Sequence, residues 1–148
     1  MEQTLYTQLL AAQLEFPKIK KDADNPFFKK KYASLDGILE DILPILHKHA
    51  LFLVQNPITD GDRIGVHTQI FHSEGDFFES KFTMALAKND PQGAGSAITY
   101  ARRYALVSML GLSVDDDDGN TASGNHAPKA QQPINQEPAQ APRPAVRR

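Results

Sequence analysis

Apolar residues recur at helical spacing in two stretches of the first half of the chain, which predicts two amphipathic helices. The first stretch ends at Pro17 and carries Leu5, Leu9, Leu10, Ala12 and Leu14. The second follows Ser34, a good N-cap residue, and carries Leu35, Ile38, Leu39, Ile42, Leu43, Ile45 and Leu46. Pro44 interrupts the second stretch. Since proline in a helix interior costs about 3 kcal/mol, we expect a kink or a break there.

Between residues 51 and 86 the pattern changes to the alternation of apolar and polar positions that is typical of strands. Turn-forming clusters at 59–62 and 73–76 separate three such runs. In the middle run Ile64, Val66, Thr68 and Ile70 alternate with Arg63, His67 and Gln69. In the last run Phe78, Phe82, Met84 and Leu86 alternate with Glu79, Lys81 and Thr83. The pattern predicts an antiparallel meander with one covered face and one face that can meet water.

A last helix is predicted to begin at Asp90–Pro91 or at Ser96, and to end at Gly111. Beyond Arg103 it is apolar nearly all round, so we expect it to be buried under the sheet or in a subunit contact. The fold class is therefore α+β: a three-stranded antiparallel meander packed with helices in a single domain, residues 1–118. The sequence leaves open whether a short N-terminal hairpin extends the meander. From residue 119 to 148 the chain is rich in Pro, Gln and Ala, which predicts a disordered tail.

The overall composition excludes several classes of protein. There are no cysteines, so disulfides, thiolate nucleophiles and cysteine-ligated metals are ruled out. No apolar run approaches the ~20 residues of a membrane span, and the first residues lack the positive charge of a signal peptide, so we expect a soluble cytoplasmic protein. The net charge is −2. A nucleic-acid surface must therefore be a local basic stripe.

Catalytic templates are absent from the sequence, since it contains no GxxxxGK[ST], GxSxG or HExxH motif. The run Asp115–Asp118 offers oxygen ligands that suit Mg²⁺, but four consecutive side chains in a loop diverge. We interpret it as a solvated acidic stop after the last helix; weak divalent binding or contact with a neighbouring subunit's basic patch stays open. Neither an enzyme nor a cofactor is expected, although a weak Mg²⁺ dependence is left open.

Two segments combine basic and aromatic residues. In the first, at 25–32, Lys29, Lys30, Lys31 and Tyr32 follow two phenylalanines. Lysines neutralise phosphates and aromatic rings stack on bases, but the phenylalanines could equally be core residues beside solvated lysines. In the second, at 95–104, the candidates are Thr99, Tyr100, Arg102 and Arg103. The two arginines share one flank of a helix and suit phosphate contact, while a structural ion pair with Asp or Glu is the alternative.

Together, residues 25–36 and 95–106, followed by LeuGlyLeu and the AspAspAspAspGly run, closely resemble the ERF (essential recombination function) family over about residues 1–120. The resemblance implies ATP-independent binding of single-stranded DNA and annealing of complementary strands in phage homologous recombination. It also implies rings or filaments of identical subunits in the bacterial host cytoplasm, with DNA on the lysines and arginines above. A phage exonuclease or a single-strand-binding protein is a candidate partner. The rival functions are a passive strand-protecting protein and a Mg²⁺-dependent nuclease using Asp115–Asp118.

Overall fold

The computed structural model describes residues 4–27 and 29–115. The elements follow one another as α1 (Leu5–Glu15), β1 (Ala23–Asn25), β2 (Lys30–Tyr32), α2 (Leu35–Lys48), β3 (Leu51–Asp60), β4 (Arg63–His72), β5 (Phe77–Ala85) and α3 (Pro91–Met109). This order confirms the predicted α+β fold. None of the described helices is long and apolar enough to cross a membrane. The predicted tail, 119–148, lies outside the described residues.

The three long strands form an antiparallel sheet in the order β3-β4-β5, as the turn clusters predicted. Gly61 and Gly75 hold the two turns at positive φ, where glycine carries no steric penalty. Along β4 the predicted apolar positions are buried and alternate with more exposed polar ones. The hairpin β1–β2 exists, but it forms a separate two-stranded sheet. It therefore does not extend the meander.

The helix α2 runs without a break through Pro44, so of the expected kink or break the break is wrong and the kink stays a prediction. Proline at this position removes the hydrogen bond to the carbonyl of Glu40. Pro44 and Glu40 are both exposed, so water can satisfy that carbonyl. Meanwhile Ile42 and Leu46, which flank the proline on the opposite face, are fully buried in the core and hold the helix in place.

The last helix begins at the first of the two predicted starts. The Asp90 side chain accepts a hydrogen bond from the Gly93 N–H, and Pro91 occupies the first turn. Its apolar half lies against the sheet of its own chain, where Ala101 and Ala105 pack on Val66. The apolar character of α3 is thus explained within one subunit.

Coverage of the sheet is incomplete at β5. Phe78 and Phe82 point to the same face of the sheet as Ile70 and Val66, their partners in β4. Both β4 residues are fully buried, whereas both phenylalanines are 37% exposed. The predicted covered face therefore ends before the outer strand, and it leaves two aromatic side chains open to solvent.

Candidate nucleic-acid interface

A cleft of about 930 Å³ lies between the hairpin β1–β2, the start of α2 and the N-terminal two thirds of α3. The hairpin contributes Phe27 and Tyr32 to its lining, and α3 contributes Thr99, Tyr100, Arg102 and Arg103. These residues come from the two segments that the sequence singled out. The fold therefore brings both segments to one surface.

Arg103 is held in the cleft by aromatic rings. Its guanidinium lies 4.7 Å from the ring centroid of Tyr32, 4.8 Å from that of Tyr100 and 5.5 Å from that of Tyr104. Such cation–π contacts fix the plane of the guanidinium through its faces. The ring faces do not occupy the N–H groups at its edge, and the Tyr100 hydroxyl accepts a hydrogen bond from the guanidinium, so the remaining N–H groups are those that an anion can meet.

Arg102 is held by hydrogen bonds from the sheet. Its Nε donates to Gln55 Oε1 at 3.1 Å, while Gln55 Nε2 donates to the carbonyl of Arg102 and to the hydroxyl of Thr68. The alternative of an ion pair with Asp or Glu is not realised: within residues 4–27 and 29–115, no carboxylate pairs with Arg102 or Arg103. Sequence analysis missed Gln55, and no local signal marks it.

The phenol of Tyr100 is held neutral. Its hydroxyl lies 2.9 Å from that of Tyr104, and the rings are 4.6 Å apart between centroids. This hydrogen bond, together with partial burial, raises the pKa of Tyr100, and the nearby Arg103 charge only partly opposes it. The cleft therefore gains no negative charge from the ring.

Of the other predicted site residues, some line the cleft and some lie outside it. Lys29, Lys30 and Lys31 are exposed on the hairpin and lie outside the lining of the cleft. Thr99 lines the cleft, but its hydroxyl donates to the backbone carbonyl of Gly95. Phe27 is 89% exposed, so its interpretation as a core residue was wrong. Phe28 lies outside the described residues.

A hydrogen-bonded clamp joins the base of the hairpin to α2. The Asp22 carboxylate accepts hydrogen bonds from the Ser34 N–H at 2.7 Å and from the Ser34 hydroxyl at 2.6 Å. Ser34 in turn accepts from the Gly37 N–H and caps the helix. These bonds lower the pKa of Asp22. A Cβ atom at Gly37 would come within 2.5 Å of the Asp22 carboxylate, so a larger residue there would have to displace that carboxylate from Ser34.

Acidic residues also belong to this region. Asp24 and Asp36 line the cleft from the hairpin and from α2, across from the arginines. Asp115 forms an ion pair with Lys18 at 2.9 Å. The remainder of the predicted acidic run, 116–118, lies outside the described residues. In the part of the chain that the structure describes, no three His, Asp or Glu side chains are grouped to hold a metal ion.

The fold and its cleft define an α+β domain with an aromatic groove that carries two arginines on one wall. The model of the ERF superfamily matches residues 5–144, and the chain belongs to that family. This confirms the resemblance noted from the two motifs. The match extends past residue 118, so the boundary between domain and tail stays a prediction.

A curated relative is the essential recombination function protein of Salmonella phage P22. It is 28% identical over 127 residues, which make up 82% of this chain and 61% of the relative. The chain thus spans less than two thirds of the length of that protein. No solved structure matches the chain.

Proposed function

We propose that this protein binds single-stranded DNA in the cleft and anneals complementary strands without nucleotide hydrolysis, as an array of identical subunits that acts in recombination. Membership of the ERF superfamily and the name of the P22 relative support the recombination role. The role is one of binding, with no catalytic residue and no cofactor.

One observation carries the proposal: Arg102 and Arg103 stand on one wall of an open cleft with no carboxylate pairing them within the described ranges. Annealing requires that the phosphate backbone is held while the base edges stay free to find partners. Arginine suits the first requirement because its fork of N–H groups matches a phosphate. The aspartates on the opposite wall direct the phosphates towards α3.

Phe27 supports a single strand as the ligand rather than a duplex. Its ring is almost fully exposed at the rim of the cleft, where burial cannot explain it. Aromatic rings in such positions stack on unpaired bases, which contributes about 1–3 kcal/mol per base. Bases within a duplex already stack on one another and offer no free face.

An array of subunits is needed because one cleft provides few phosphate contacts. Repeating the cleft along one strand multiplies them, since each further contact becomes intramolecular. Lys29, Lys30 and Lys31 stand exposed beside the cleft and extend the path for the backbone between subunits. A phage exonuclease or a single-strand-binding protein is the partner that would supply or share the strand.

The test is a pairing assay with two complementary labelled oligonucleotides and no added nucleotide. We expect the protein to speed duplex formation and to leave both strands at full length. Replacing both Arg102 and Arg103 by Ala should abolish the acceleration, whereas Arg63→Ala, at an exposed arginine outside the cleft, should not. Slower pairing than without protein would identify a passive strand-protecting protein. Shortened strands would identify a nuclease.

A further inference from the structure

An uncharged apolar surface lies on the outer side of α1 and continues onto β5. We define the α1 surface as Tyr6, Leu10, Leu14 and Phe78. On the helix, Tyr6, Leu10 and Leu14 follow one another at four-residue spacing and are 71%, 59% and 80% exposed. An amphipathic helix normally turns its polar residues to solvent, whereas this stripe of α1 exposes three large apolar side chains as well.

The α1 surface contains a recess as well as projections. A cleft of about 260 Å³ opens between Tyr6 and Leu10 on the helix, Phe78 on the sheet, and Met109 near the end of α3. Leu14, the most exposed residue of the surface, stands beyond it. A surface with both a recess and a projecting side chain can interlock with the side chains of another folded protein.

A second apolar surface lies on the opposite face of the sheet. We define the Phe row as Phe52, Phe71 and Phe77, which occupy paired positions on all three strands. Neighbouring ring centroids are 5.1 Å and 5.3 Å apart. Phe52 and Phe77 are 45% and 48% exposed. Because side chains alternate along a strand, Phe77 and Phe78 point to opposite faces.

The size of these surfaces indicates a protein partner. With side chains of this size, the exposed parts of the α1 surface cover on the order of 500 Å². That lies in the upper part of the range of about 300–600 Å² that the largest patch of a monomer usually covers, and it is more than half of the ~800 Å² that one partner buries in a standard interface. Neither surface includes a charged residue, so a DNA backbone would find no counter-charge there.

We propose that the α1 surface of one copy packs against the Phe row of the next copy, in a head-to-tail contact that repeats along the array. The inference rests on the proposed function, which requires an array. A twofold contact would pair one of the two surfaces with its own copy and would leave the other surface exposed. A head-to-tail contact buries one of each at every junction and leads to a ring or a filament. Neither surface shares a residue with the lining of the DNA cleft.

The contact is tested with two variants that block one surface each. The first carries Leu10→Lys and Leu14→Lys, and the second carries Phe52→Lys and Phe77→Lys. We expect each variant alone to be a monomer in light scattering, because a buried lysine without a partner is costly. Mixed in equal amounts, they should form a species of two chains, since each supplies the surface that the other lacks. His47→Lys, on an exposed face of α2, is the matched control and should assemble like the unmodified protein.

Each other outcome has a defined meaning. If the unmodified protein assembles and either variant assembles equally well, the inference is wrong while the proposed array stands. A Phe-row variant that pairs with itself, with no new species on mixing, would establish a twofold contact instead. An unmodified protein that stays monomeric with and without DNA overturns the array itself. If circular dichroism shows that a lysine variant is unfolded, Leu14→Ser and Phe77→Ser carry the same mixing test.

Discussion

The guanidinium of Arg103 lies 4.7 Å from the centre of the Tyr32 ring, and this contact joins α3 to the hairpin β1–β2. The two residues belong to segments far apart in the sequence, each with its own mixture of basic and aromatic residues. Their stacking makes one wall of the cleft continuous with the other. The groove therefore depends on a contact between the hairpin and the helix, and both should be needed for binding.

Removing both arginines should weaken binding to single strands of every sequence about equally. Phosphate contacts carry no base information, so replacing Arg102 and Arg103 by Ala changes affinity and leaves specificity unchanged. The slope of log affinity against log salt should fall in magnitude by roughly 0.7 for each phosphate that the protein no longer neutralises. Titrations of labelled oligonucleotides at several salt concentrations measure this. Arg63→Ala is the control and should keep the slope.

The same preparations separate this hypothesis from a purely structural role. Arg102 bonds to Gln55, so some loss of thermal stability is expected in the double variant as well. The salt slope is the deciding quantity, because a structural role does not change it. A folded and assembled double variant with an unchanged slope would remove these arginines from the DNA site.

Phe27 should contribute to affinity through its ring and not through its apolar character. Phe27→Ala is expected to weaken single-strand binding by about 1–3 kcal/mol per stacked base. Phe27→Leu keeps an apolar side chain but has no aromatic face, so it should lose as much, whereas Phe27→Trp should keep the affinity. Thermal stability should not change in any of them, since the side chain is 89% exposed. Equal affinity of the Leu and Trp variants would contradict stacking.

The fold could be predicted from the sequence because its signals are local. Ser34 and Asp90 cap the helices that follow them, and Gly61 and Gly75 stand in the turns between strands. In its role as a cap or a turn residue, each of these acts within a few positions of itself. The break expected at Pro44 did not occur because the carbonyl that loses its hydrogen bond is exposed to water. The local sequence pattern does not show that exposure.

The candidate site was predictable only in part. The adjacency of Arg102 and Arg103 on a helix was enough to place them on one flank. Their partners, Gln55 and Tyr32, lie on other elements and become neighbours only through packing. Sequence reasoning therefore offered only an ion pair with Asp or Glu as the structural alternative to DNA contact, where the structure has an amide and aromatic rings.

Asp24 should limit affinity, because its carboxylate lines the cleft in which we propose that the phosphates bind. Asp24→Asn keeps the size of the side chain and removes the charge, so we expect tighter binding of single strands, by a factor of a few at low salt. The gain should shrink at high salt, where screening reduces the repulsion. Asp62→Asn, at an exposed turn outside the cleft, removes the same charge and should have little effect. Weaker binding of the Asp24 variant would show that this carboxylate contacts the bases instead.

The clamp between Asp22 and Ser34 should make stability depend on acid pH. Hydrogen bonds from Ser34 lower the pKa of Asp22 in the folded state. The ionised carboxylate therefore stabilises the fold above the pKa of the unfolded chain, and this contribution is lost as the pH falls through the lower, folded value. Ser34→Ala removes the hydroxyl and the helix cap, at a cost of about 1 kcal/mol at neutral pH.

The stability difference between Ser34→Ala and the unmodified protein should shrink on acidification, because protonated Asp22 no longer gains from the hydroxyl. Urea unfolding from about pH 6 to about pH 2.5 measures it across that window. Thr4→Ala is the matched control. Thr4 caps α1 by accepting from the Thr7 N–H, and its hydroxyl donates to no carboxylate among the described residues, so its cost should stay constant with pH. A Ser34→Ala difference that is equally constant would mean that the hydroxyl of Ser34 stabilises the fold only as a helix cap, and that its bond to Asp22 adds nothing.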